Sequence, residues 1–188
     1  MAAPSNVTAP VSAGTAKEGF VRRLLPLARE AADALGVDPH ALVAQAALET
    51  GWGKSVPSTA SGGSSFNLFG IKAGSNWSGP TVNVPTLEFE GGVPVRKVER
   101  FRSYESAQDS FRDYAGLIGN SPRYAAAKDS GTDVAAFASA LQQGGYATDP
   151  AYAQKVTAVT HEVRGIAAQE AFKSAGGGPL HSMTRKSS

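Results

Sequence analysis

The chain has 188 residues, enough for one compact domain with ragged ends. It is 41% hydrophobic and 18% charged, and its 18 basic and 16 acidic residues give a net charge of only +2. The basic residues do not cluster, which argues against a nucleic-acid surface; no apolar run is long enough to span a bilayer; and the lack of cysteine excludes disulfides without choosing a compartment.

Residues 1–16 are Pro, Ala, Ser and Thr without periodicity and are expected to form a flexible linker. They lack the charged start and apolar run of a Sec signal peptide, so a preceding region or another export route is expected. Residues 18–35 carry a helical stripe of Phe20, Leu24, Leu27, Ala31 and Leu35, ended by Gly36; Pro26 should kink or split it.

A second helix is expected over 39–50. Asp38 can cap its first N–H groups, Pro39 suits the first helical position, and Gly51 supplies the stop. Leu42, Gln45, Ala46 and Glu49 fall on one stripe. A carboxylate on such a stripe, in the last turn near the negative end of the helix dipole, has its pKa pushed up, which suits a general acid. The other reading is a side chain that reaches solvent or bonds the following loop.

Ser, Gly and Thr make 55–65 a loop, followed by the apolar knot Phe66-Asn-Leu-Phe-Gly-Ile-Lys72. Phe69 and Trp77 flank a turn, where aromatics either stack on sugar rings or cover a core. Alternation and β-branched residues predict strands at Thr81–Val84, Thr86–Phe89 and Val93–Phe101, with a turn at Glu90-Gly-Gly92. This is a hairpin lobe of two or three strands. Glu88 lies on it opposite in face to Leu87 and Phe89, either solvated or catalytic.

Helices resume after 103. Ser106 and Asp109 signal a start, with Ala107, Phe111, Tyr114, Ala115 and Ile118 inward. A short helix opens at Ser121-Pro122-Arg-Tyr124. Thr132 is expected to cap another, with Val134, Phe137, Ala138 and Leu141 inward, ending at Gly144-Gly145. Tyr146 sits in the tight loop Gly145-Tyr-Ala-Thr-Asp149. Asp149-Pro150 starts a final helix with Tyr152, Val156, Val159 and Val163 on one face; from 168 to 188 a disordered tail is expected. The fold class is α+β, mostly α, with the catalytic domain over 17–167 and a cleft between helical body and β lobe.

No Gly-x-Ser-x-Gly exists, no two histidines have ligand spacing, and no phosphate loop is present, so no metal and no cofactor is expected. What remains is a pair of carboxylates in different settings, Glu49 and Glu88, the requirement for glycoside hydrolysis. Tyr146 can orient a sugar or stabilise an intermediate.

Ala44-Gln-Ala-Ala-Leu-Glu-Thr-Gly-Trp-Gly53, Asn67-Leu-Phe-Gly-Ile-Lys72, Thr86-Leu-Glu-Phe-Glu90 with Phe101-Arg-Ser-Tyr104, Ser121-Pro-Arg-Tyr124 and Gly145-Tyr-Ala-Thr-Asp-Pro150 resemble, in order, the motifs of the β-N-acetylglucosaminidase domain of FlgJ-type flagellar peptidoglycan hydrolases (glycoside hydrolase family 73). The resemblance runs from about Phe20 to Val163. It implies a lysozyme-like fold and cleavage of the β-1,4 bond between N-acetylglucosamine and N-acetylmuramic acid in periplasmic peptidoglycan, to let the flagellar rod pass. It implies Glu49 as general acid, Glu88 as second carboxylate with Glu90 its competitor, and Tyr146 as the active-site tyrosine. Asn67, Phe69, Trp77, Glu90, Tyr124 and Tyr152 are the expected substrate contacts. Peptidoglycan strands are the expected partner, with flagellar rod proteins reached through a missing N-terminal region. A lytic transglycosylase and a non-catalytic wall-binding module are the rival readings.

Overall fold

The computed structural model describes residues 13–176, with the side chains of 13–15 and 87–90 left aside. The first helix, α1 (Ala13–Leu35), runs unbroken through Pro26. The expected split does not occur because Pro26 is on the exposed face, where water can satisfy the carbonyl that loses its partner. Phe20, Val21, Leu24, Ala28, Ala31, Ala32 and Leu35 are buried along its inner face.

The second helix, α2 (Pro39–Thr50), has the expected bounds. Asp38 Oδ1 accepts from the His40 N–H at 2.7 Å, and Gly51 closes it in the left-handed conformation (φ 56). Its residues from Ala41 to Ala47 are all buried, as befits a helix apolar on every side. It packs between α1 and α5 (Tyr152–Ser174).

The β lobe is one antiparallel hairpin, β1 (Thr81–Glu90) and β2 (Val93–Arg102). Pro85 does not interrupt β1, and the turn is the two-residue Gly91-Gly92 pair, with φ 57 and 83. Positive φ at both positions matches the strand twist, and glycine accepts it freely. Lys72 bridges to Phe101, Ala73 N–H donates to Arg100 O at 2.8 Å and Arg102 N–H to Ile71 O at 3.0 Å. These bonds fasten the root of the lobe to the 67–73 loop.

The return to helix follows the expected pattern. Ser106 caps α3 (Ala107–Asn120), a 3-10 helix spans Pro122–Ala127, and α4 (Val134–Gln143) follows. Asp133 caps α4, accepting from Ala136 N–H at 2.9 Å, in place of the expected Thr132. The helix begins one residue later than the Thr132 signal implied, and a carboxylate is then the available acceptor.

The expected boundaries at 16 and 167 fall inside helices: α1 starts at Ala13 and α5 continues to Ser174. Residues 168–173 are good helix formers, and ion pairs tie this end to α1: Arg22 to Glu170 at 3.4 Å and Lys173 to Glu18 at 3.4 Å. The remainder of the expected linker and tail lies outside the described residues.

Candidate active site

An open cleft of about 620 Å³ lies where the C-terminal end of α2 meets the 67–73 loop and the 146–149 loop. Glu49, Phe69, Gly70, Lys72, Arg123 and Tyr146 are among the residues that line it. The last turn of α2 carries the Leu42–Gln45–Ala46 stripe out of the core, so that Glu49 emerges on the cleft floor rather than inside.

Glu49 therefore has accessible surface, but into the cleft, and protein fills most of the space around its carboxyl. That loss of solvation raises its pKa above the ordinary glutamate value, and a hydrogen bond from Tyr152 pulls partly back. Tyr152 Oη donates to Glu49 Oε1 at 3.4 Å. The other oxygen, Oε2, borders Gly70, where an added Cβ would come within 3.2 Å.

Tyr146 lies beside this acid. Its hydroxyl donates to the Phe69 carbonyl at 2.8 Å, and its ring stacks on Tyr152 with centroids 6.0 Å apart. Tyr124 meets the Tyr146 ring edge-on at 6.0 Å and also lines the cleft. Burial pushes the Tyr146 and Tyr152 hydroxyls well above the usual phenol range, so both stay neutral donors.

The expected substrate contacts divide. Tyr124 and Phe69 line the cleft, though the Phe69 ring is spent on the core, stacked on Tyr114 at 4.1 Å and edge-on to Phe111. Tyr152 is buried and touches Glu49. Asn67 does not reach the cleft: it is fully buried, its Nδ2 donates to Ile71 O and Arg102 O at 2.9 Å each, and its Oδ1 accepts from Ile71 N–H at 3.0 Å. Trp77 also turns away. It packs edge-on against Tyr104, under the Arg102 guanidinium at 4.6 Å, with Nε1 donating to Pro80 O. Neither is among the residues that line the cleft, and their polar groups are used in holding the loop.

Glu88 and Glu90 sit on β1, opposite Val95 and Val93. Their side chains lie outside the described residues.

Sequence reasoning overlooked Gln45 as a site neighbour, and Lys72, Arg123, Thr148 and Asp149 as cleft lining. The lone amide among the apolar residues of α2 was the available signal for Gln45. No group of three or more His, Cys, Asp or Glu among the described residues is placed to hold a metal ion.

A family model for mannosyl-glycoprotein endo-beta-N-acetylglucosaminidase (glucosaminidase) matches residues 25–164. The peptidoglycan hydrolase FlgJ of Pseudomonas aeruginosa is 47% identical over 161 residues, covering 86% of this chain and 40% of that protein. This chain thus spans less than half the length of that relative. A peptidoglycan hydrolase mutant from Sphingomonas sp. A1 superposes with a TM-score of 0.74 at 52% identity, covering 81% of this chain and 99% of that one. The glycoside hydrolase domain of Salmonella typhimurium FlgJ gives 0.73 at 35% identity, over 85% and 96%.

Proposed function

This chain belongs to the glucosaminidase family, glycoside hydrolases of lysozyme-like α+β fold, and we propose that it cleaves the β-1,4 bond between N-acetylglucosamine and N-acetylmuramic acid in peptidoglycan. The observation that carries this reading is Glu49: an acid of raised pKa on the floor of an open cleft, bonded by a neutral tyrosine. A group of that kind stays protonated long enough to give its proton to the glycosidic oxygen as the bond breaks.

The second carboxylate is Glu88 on the hairpin, which stabilises the oxocarbenium charge, attacks it or activates water. Tyr146 positions the sugar and the 69–70 backbone. The name of the relative, peptidoglycan hydrolase FlgJ, supports peptidoglycan as substrate; the reading extends to a periplasmic enzyme that opens the wall for the flagellar rod. Among the described residues no helix is long and apolar enough to cross a membrane.

Product analysis of digested sacculi tests this. New reducing N-acetylglucosamine ends support the assignment. Anhydro-muramic ends make it a lytic transglycosylase, and binding without soluble fragments makes it a wall-binding module.

A further inference from the structure

Behind Glu49 the polar groups form one unbranched hydrogen-bond chain through the core. Tyr114 Oη donates to Gln45 Oε1 at 2.5 Å, Gln45 Nε2 donates to Tyr152 Oη at 2.9 Å, and Tyr152 Oη donates to Glu49 Oε1 at 3.4 Å. Tyr114 and Gln45 are fully buried and Tyr152 is nearly so. Three helices contribute: α3, α2 and α5.

The chain has a direction, and Gln45 sets it. An amide has one accepting end and one donating end. With the amide turned round, the buried Tyr114 hydroxyl proton would face a donor and have no acceptor among the described residues. As placed, each hydroxyl proton in the chain has an acceptor, and the last one points at Glu49. A hydroxyl that accepts a hydrogen bond also donates a stronger one.

We infer that Gln45 is a positioning residue for the acid: acting through Tyr152, it commits Glu49 Oε1 to accepting, so that the transferable proton resides on Oε2, the oxygen beside Gly70 that faces the cleft. The inference rests on the reading of Glu49 as the proton donor. Gly70 contributes by leaving the space next to Oε2 open. In the reaction the O–H bond at Oε2 breaks as the glycosidic oxygen takes the proton. The electron pair left on the carboxylate is stabilised by the Tyr152 proton at Oε1.

The titratable and charged groups around Glu49 are Tyr152 from α5, Tyr114 from α3, Tyr124 and Arg123 from the 3-10 helix, Lys72 from the 67–73 loop, and Tyr146 and Asp149 from the loop before α5. Of these, Tyr152 alone has a hydrogen bond to the Glu49 carboxyl among the described residues.

The test is a ¹³C-carboxyl NMR titration of Glu49 in the intact chain and in Tyr152→Phe, Gln45→Met and the double variant, beside the pH profile of sacculus hydrolysis. Tyr152→Phe should raise the Glu49 pKa by about half a unit to one unit, because a hydrogen bond to the charged form is lost. Gln45→Met should move it the same way by less, and should add nothing in the Tyr152→Phe background. A Glu49 titration that stays in place in Tyr152→Phe, or shifts that add in the double variant, overturns the inference. Full hydrolysis by Glu49→Gln would instead overturn the assignment of Glu49 itself. Tyr152→Phe, which keeps the ring and its packing, decides the matter if Gln45→Met does not fold.

Discussion

The side-chain amide of Asn67 donates to the backbone carbonyl of Arg102 at 2.9 Å, joining the cleft-wall loop to the end of β2 across 35 positions of sequence. The same side chain closes the 67–71 turn through both polar atoms. One buried residue thus holds the cleft wall in shape and fixes where the hairpin departs from the helical body. Asn67→Ala should lose about 2–4 kcal/mol of stability, read as a lower denaturation midpoint, since it leaves buried backbone groups unpaired. Activity should fall with it even though Asn67 is not among the residues that line the cleft.

Glu49→Gln should abolish wall lysis, by a factor of about 10²–10⁴ in kcat, with the fold intact. Its effect on stability has a defined sign. A carboxyl whose pKa is raised on folding contributes its full stability below the unfolded glutamate value and loses it as pH climbs through the folded value. At neutral pH, Glu49 is therefore a burden, and Glu49→Gln should melt no lower than the parent. The difference should shrink below about pH 4, where both states are protonated. A lower melting temperature at pH 7 would contradict the solvation argument.

Gly70→Ala should damage the site from two sides. The residue has φ 62, which costs an L-residue about 1–2 kcal/mol, and its new methyl would press on Glu49 Oε2. Steady-state kinetics should show kcat reduced about 10²-fold, from displacement of the acid.

The two hairpin acids can be separated by substitution. Glu88→Gln should lower kcat by about 10²–10³, while Glu90→Gln, next to the turn, should cost far less. Hydrolysis that survives Glu88→Gln but not Glu49→Gln would point to a mechanism with one carboxylate and favour transglycosylation.

Local signals proved sufficient for elements whose stability is local. The Asp38 cap, the Gly51 stop, the Ser106–Asp109 start and the Gly91-Gly92 turn were readable because each is settled by groups a few residues apart. The motif around Glu49 was readable for the same reason, since helix periodicity alone puts Glu49 on the stripe with Leu42 and Ala46. Helix ends were less legible. The far end of α5 is held by ion pairs to α1, more than a hundred residues away, and Pro26 is tolerated because its face meets solvent.

By itself, then, the sequence determined the helical body, the hairpin and the candidate acid, since periodicity, caps and turn residues act over one or two turns of chain. The cleft, expected between body and β lobe, is lined instead by the end of α2, Leu117 of α3, the 3-10 helix and the 69–72 and 146–149 segments, with no strand residue among the described lining. Only the tertiary structure decided what each polar or aromatic side chain does there. Asn67 spends its amide on the Ile71 and Arg102 backbone, fastening the cleft wall, and Trp77 gives its N–H to Pro80 O and packs on Tyr104. Gln45 looks like one more helix residue and holds Tyr152 against Glu49. A side chain's hydrogen-bonding capacity is finite, and whether it is free for a ligand depends on partners brought in from distant parts of the chain.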